Sequence, residues 1–228
     1  MNAYFYRLFK TIEITVMRKI LLSATLLICL QSFSQVKTFV FAGIQGNNAK
    51  YIINDSKQNT SFKIGGQAGL GMKVPFEGRL SFVPSIFYSM KGYKVKFSQG
   101  SPFPDAQAIN NDVSIHCVEL AALLQHDFSS DGNHFFLRIG PSLDFQLFGN
   151  EKYQTAAGTV DRKMPFDYDK YGRYSGNLLA HFGYETANGF FINAQYTYGL
   201  ASINNFDLGP EIRHRDVGIS IGFYIKKK

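Results

Sequence analysis

From about residue 38 onward, apolar side chains alternate with polar or small ones. This is the period-two pattern of strands whose two faces meet different surroundings. In 190–200 one face carries Phe190, Ile192, Ala194, Tyr196, Tyr198 and Leu200, and the other Phe191, Asn193, Gln195, Thr197 and Gly199. In 216–225, Val217, Ile219, Ile221, Phe223 and Ile225 alternate with Asp216, Gly218, Ser220, Gly222 and Tyr224. Similar dyads run through 62–74, 79–91 and 134–147. Segments 38–47, 113–128 and 172–186 complete a set of eight predicted strands.

Alternation alone suits a soluble sandwich or a lipocalin-like barrel as well as a membrane barrel, so the connections discriminate. Long links at 48–60, 98–112, 149–171 and 203–213 alternate with tight turns at Pro75–Gly78, Ser129–Gly132 and Ala187–Gly189. Outer-membrane barrels show the same rhythm, with long outer loops and short periplasmic turns. Asp131-Gly132 and Asn188-Gly189 suit two-residue hairpin turns, which need positive φ. Hydrocarbon offers no water to a bare N–H or C=O, so a membrane-crossing sheet must close on itself. The predicted fold is therefore all-β, an eight-stranded antiparallel up-and-down transmembrane β-barrel with both termini in the periplasm. Phe39, Tyr88, Tyr93, Phe128, Tyr171, Tyr174, Tyr184, Tyr196, Tyr198 and Phe223 are the expected interfacial aromatics.

The first residues change the picture by assigning an export route. Residues 17–34 read MRKILLSATLLICLQSFS: a basic start at Arg18 and Lys19, an apolar run Ile20–Leu30, and small residues Ser32 and Ser34 before a cleavage site. That run is too short for a membrane helix, which needs about 20 residues. Met17 is the expected initiator, residues 1–34 the extension plus signal peptide, and residues 35–228 the barrel domain. Cys29 lacks the residues of a lipid-modified cysteine, and the mature part then keeps Cys117 alone, which cannot form an internal disulfide.

Composition adds less. Phe 22, Tyr 13 and Gly 21 with 18% charged residues lean towards β structure. Four basic residues and one acidic residue leave with the leader, so the net charge of +7 falls to +4, and a nucleic-acid partner is not expected.

Arg79–Gly92 (RLSFVPSIFYSMKG), Val118–Phe128 (VELAALLQHDF), Gly140–Gly149 (GPSLDFQLFG) and the end from Tyr171 to Tyr224, including FGYE, AQYTYGL and DVGISIGFY, carry a resemblance to a known family. They resemble the PorT-type outer-membrane β-barrel domain common in Bacteroidetes. The resemblance implies an outer-membrane barrel and, from the family's namesake, a link to protein secretion across the outer membrane. Barrels of this kind usually end on an aromatic residue read by the assembly machinery; here four residues follow Tyr224.

Inward charges are expected at Lys63, Lys73, Arg79, Lys91, Glu119, Asp127, Arg138, Asp144, Arg173, His181, Glu185 and Asp216. In a narrow eight-stranded barrel, side chains fill the interior. A paired lumen network is expected, centred on Glu119, Arg138, Arg173 and Glu185. A narrow or gated porin-like pore is the alternative. A lipid A-modifying enzyme is a further alternative, although the five histidines are scattered and no His-x-Ser arrangement is present. No catalytic residue, cofactor or metal is assigned: Cys-x-x-Cys and His-Glu-x-x-His spacings are missing, and Asp167 and Asp169 read as solvated loop acids. Gly65-Gly66 and Gly69-x-Gly71 lack the helix and Lys of a nucleotide loop and read as small inward residues. Expected partners are outer-membrane lipid, the barrel assembly machinery and envelope or secretion proteins.

Overall fold

The computed structural model of the protein describes residues 36–98, 100 and 103–225. The segment expected to be a leader, with its expected cleavage site, and Lys226–Lys228 lie outside the described residues. Twelve strands occur among the described residues: β1 (Lys37–Asn47), β2 (Ala49–Ile53), β3 (Ser56–Lys57), β4 (Asn59–Ser61), β5 (Lys63–Glu77), β6 (Leu80–Lys96), β7 (Asn110–Asp127), β8 (His134–Thr155), β9 (Gly158–Lys163), β10 (Tyr174–Glu185), β11 (Phe190–Gly199) and β12 (Glu211–Tyr224). Eight of them form a closed antiparallel ring, β1-β5-β6-β7-β8-β10-β11-β12, with β12 pairing back onto β1 from Phe39↔Tyr224 to Gly46↔Val217. These are the eight strands expected from the alternation.

The burial pattern is inverted relative to a soluble β protein. On β11, Ile192 and Tyr196 are 43% and 42% exposed, while the residues that follow them, Asn193 and Thr197, are 3% and 2% exposed. Leu70, Ile86, Leu120, Ile139, Leu143 and Ile219 extend the outward apolar face around the ring. A continuous exposed apolar belt around buried polar side chains suits hydrocarbon outside the barrel and not water.

Two strand prolines sit where the ladder spares them. Pro84 has no N–H to donate, and the β5–β6 pairing skips from Gly71↔Ser85 to Val74↔Phe82 beside it. Pro141 lies in the same kind of gap, between Ala121↔Ser142 and Leu124↔Ile139 on β7–β8. A bulge then shifts the β7–β8 register between His116↔Phe148 and Cys117↔Gln146. Leu147 and Phe148 consequently both face outward, and Glu151 and Tyr153 point inward above them.

Two of the four predicted long links, 48–60 and 149–171, are largely β structure. β8 runs on to Thr155 and turns back as β9, β2 to β4 occupy most of 49–61, and β2 pairs with β12 from Glu211↔Ile52 to His214↔Ala49. The β2–β3 turn is made by Asn54 and Asp55 at φ 45° and 61°, values that Asn and Asp tolerate better than most residues. Gly189 has φ 86°, as the expected hairpin turn requires, whereas Gly132 is not in the positive-φ region. Gly132 instead permits a close approach between turns: a Cβ there would lie 2.7 Å from that of Ala187. Beside it the Ala187 N–H donates to Asn133 Oδ1 at 2.9 Å.

The expected aromatic girdle is partly corrected. Tyr88, Phe128, Tyr174, Tyr196, Tyr198 and Phe223 are exposed on the outer wall, but Phe39, Tyr93 and Tyr171 are buried at 2%, 0% and 0%. Phe39 and Tyr93 have inward parity on their strands, and Tyr171 lies beneath the loops.

Candidate functional site: a filled lumen beneath an ordered crown

The inward faces of the ring stack into layers, described here from the long-loop end to the tight-turn end. The uppermost is apolar: Tyr51, Tyr93, Tyr171, Val113, Ile115 and Ile212 form its centre, each essentially inaccessible. Phe103 meets Tyr171 edge-on at 4.5 Å, and Tyr51 Oη donates to the Phe103 carbonyl at 3.2 Å, which ties the β6–β7 loop down. The fully buried Glu151 organises this layer. It accepts from Tyr171 Oη at 2.7 Å and from Arg162 Nε at 2.8 Å, and Arg162 Nη2 donates to the Pro104 carbonyl at 3.1 Å. Burial, with Tyr93 and Glu151 adding to it, pushes the Tyr171 phenol well above its ordinary value, so Tyr171 remains a donor.

Below lies a charged layer. Lys91 Nζ sits 2.9 Å and 2.8 Å from the two Asp144 oxygens and 2.9 Å from Glu119 Oε2, while Ser142 Oγ donates to Glu119 Oε1 at 2.5 Å. All three charged side chains are at most 2% exposed. An amide layer follows: Gln67 and Gln195 exchange bonds of 2.6 and 2.9 Å, Gln67 Nε2 also reaches Ser220 Oγ, and Gln45 Nε2 donates to Ser89 Oγ at 2.9 Å.

The next layer is aromatic, with Phe39, Phe87, Phe136 and Phe191 among its buried members. Arg138 lies in it, its guanidinium carbon 4.3, 5.0 and 5.2 Å from the ring centres of Phe136, Phe191 and Phe39. Gly71 faces Phe39 so closely that an added Cβ would lie 2.4 Å from the ring. At the tight-turn end Lys73 Nζ bridges Asp127 Oδ2 at 2.8 Å and Glu185 Oε2 at 3.0 Å, with His134 beside them.

The four residues expected at the centre of one network are thus distributed. Glu119 belongs to the charged layer with Lys91. Arg138 and Glu185 communicate through Tyr224, whose hydroxyl accepts from Arg138 Nη2 at 3.3 Å and donates to Glu185 Oε2 at 3.1 Å. Arg173 is a correction: it is exposed in a bend before β10, its guanidinium 5.9 Å from the Phe166 ring centre, because the strand that would turn it inward begins one residue later. Arg79, also expected inside, is exposed and donates to the Phe128 carbonyl at 2.8 Å. Lys91, Asp144, Lys73 and Asp127 hold the pairs instead. Their inward parity was legible, but their partnerships depend on register across several strands.

On the outer wall of the crown, β4, β6, β7, β8 and β9 frame a groove of about 440 Å³ lined by Lys94, Lys96, Lys152, Asn59, Asn110 and Thr159. On the same wall nearer the apolar belt, His116 is hydrogen-bonded to Tyr88 and stacked on Phe148 at 4.4 Å, a partly exposed aromatic setting.

Solved structures similar to this chain include the attachment invasion locus protein Ail of Yersinia pestis, at 12% identity and TM-score 0.44, covering 83% of this chain and 98% of that one. Neisserial surface protein A matches at 11% identity and TM-score 0.43, covering 82% and 97%. OprG of Pseudomonas aeruginosa matches at 10% identity and TM-score 0.40, covering 83% and 96%. No curated protein sequence aligns significantly with the chain. Residues 31–205 match the family described as outer membrane protein beta-barrel domain, and the chain belongs to that family.

Proposed function

We propose that the protein is a non-enzymatic, sealed outer-membrane barrel whose rigid crown serves as an interaction platform in an envelope complex. One observation carries this reading. Buried side chains cross the lumen in successive layers, from the Glu151 apolar cap through Lys91–Glu119–Asp144 to Lys73–Glu185. A lumen occupied by paired charges and aromatic rings suits a scaffold better than a conduit. The loops are pinned by a core of their own, which supports a preformed surface with little entropy to lose on binding. In this reading the tight turns and both termini face the periplasm, lipid covers the outer belt, and the barrel assembly machinery inserts the chain. The PorT-type resemblance makes a protein-secretion complex the partner class.

Planar-bilayer recording together with cross-linking in intact outer membranes tests the proposal. The expected result is no steady conductance and a discrete cross-linked partner whose yield falls when Lys94 and Lys152 are replaced by Glu. Steady single-channel conductance, with no cross-linked partner, overturns it.

A narrow, hydrated passage is the second reading, and a specific observation favours it. Gln146, Ser175, Asn177, His214 and Asp216, inward on β8, β10 and β12, each bury a polar side-chain atom without a protein hydrogen-bond partner. Such atoms call for water. Proton flux into vesicles through the wild-type protein, lost in Asp216→Asn, supports this alternative.

A further inference from the structure

We infer that the tight-turn end of the lumen is a divalent transition-metal site of the Zn²⁺ class, with His134, Asp127 and Glu185 as ligands and Lys73 as an internal competitor. Asp127 closes β7, His134 opens β8 and Glu185 closes β10, so one ion there would clamp the tight-turn ends of three neighbouring strands of the ring. One potential ligand atom from each residue lies within 4.8 Å of the others. Zn²⁺ sits about 2.0–2.2 Å from such nitrogen and oxygen ligands, so small side-chain rotations close the set.

The histidine supplies the second, independent observation. His134 Nδ1 lies 2.6 Å from the Asp131 carbonyl, an oxygen that can only accept, so Nδ1 carries the proton. That leaves Nε2 pointing at the carboxylates, 3.2 Å from Asp127 Oδ1 and 3.8 Å from Glu185 Oε2. Nε2 is buried and has no hydrogen-bond partner, and the His134 side chain is 9% exposed. A ring nitrogen oriented by a backbone carbonyl at its other nitrogen, facing acidic oxygens, is the arrangement of a metal-ligating histidine with its supporting shell.

Charge points the same way. Asp127 and Glu185 bring two negative charges, and Lys73 is their one direct ammonium partner among the described residues. Gln125 donates to Asp127 Oδ1 at 2.5 Å, and Tyr224 donates to Glu185, but both are neutral. Arg138 reaches the pair only through Gln125 and Tyr224. One more cation fits. An imidazole with two carboxylates selects Zn²⁺ and its neighbours over Ca²⁺ or Mg²⁺, which favour all-oxygen sets.

Untagged protein, purified from membranes in detergent, is dialysed against Zn²⁺ and its metal content measured, with Co²⁺ absorption as the ligand-field readout. One equivalent per chain is expected, with a Co²⁺ spectrum showing nitrogen and oxygen ligation. His134→Gln, which leaves every neighbouring charge in place, should abolish binding. Lys73→Met should tighten it by about tenfold, since it removes a unit charge a few ångströms from the ion. Heat-modifiable gel migration identifies folded variants; if Lys73→Met does not fold, Lys73→Gln takes its place. Less than a tenth of an equivalent bound by the wild type overturns the inference. So does His134→Gln binding as wild type does, which would place the ion elsewhere.

Discussion

Lys91 on β6 and Asp144 on β8 meet across β7, ammonium to carboxylate at 2.8 Å, with side chains 1% and 0% exposed. Glu119 on the intervening strand completes the layer at 2.9 Å. A cation shared by two acids in a closed barrel cannot be removed without leaving buried charge behind. Lys91→Met is therefore expected to destabilise the barrel by about 3–5 kcal/mol, measured as a shift in the urea midpoint in detergent. Adding Glu119→Gln and Asp144→Asn should recover most of that loss. No recovery would mean that lost packing, not unpaired charge, dominates.

The outer belt gives a prediction that separates membrane from soluble β structure. Leu120 is 51% exposed and lies between the outward Ile86 and Leu143. Leu120→Arg should cost about 2–4 kcal/mol in a bilayer. On a water-facing surface the same change falls within about 0.5 kcal/mol. Refolding yield and urea stability in lipid vesicles decide between them.

Phe39 and Gly71 are matched in size across β1 and β5. Gly71→Ala puts a Cβ 2.4 Å from the Phe39 ring, and overpacking of this kind costs about 1–3 kcal/mol. Phe39→Leu in the same chain should return part of the loss. A double-mutant cycle with no coupling would show that the ring moves aside freely.

Glu151, near the upper end of β8, anchors the crown through Tyr171 and Arg162. Its replacement by Ala leaves Tyr171 and Arg162 without their shared acceptor, a loss of about 1–3 kcal/mol confined to the loops. Limited proteolysis between residues 98 and 109 should quicken at least several-fold while heat-modifiable migration stays unchanged. Loss of both together would make crown and barrel one cooperative unit.

The fold was legible because its determinants are local. Each strand declares its two faces by alternation, as on β11 and β12, and turn residues such as Gly189 declare where the chain reverses. Hydrocarbon outside and a crowded lumen inside impose opposite demands on alternate residues, so one strand read alone reveals both environments. The crown was less legible. Tyr51, Tyr153 and Tyr171 read as loop or interfacial residues because the surface that buries them is assembled from four separate links.

The chain alone specified the eight ring strands, the outward apolar belt and the inward position of Lys73, Lys91, Glu119, Asp144 and Glu185. Only the tertiary structure decided who meets whom. Lys91 chooses Asp144 and Glu119, Glu185 chooses Lys73 and Tyr224, and Arg173 stays outside the barrel. Parity is a property of one strand, whereas height in the lumen follows from the stagger accumulated around a closed ring. A one-residue bulge such as that at Leu147 is enough to change it.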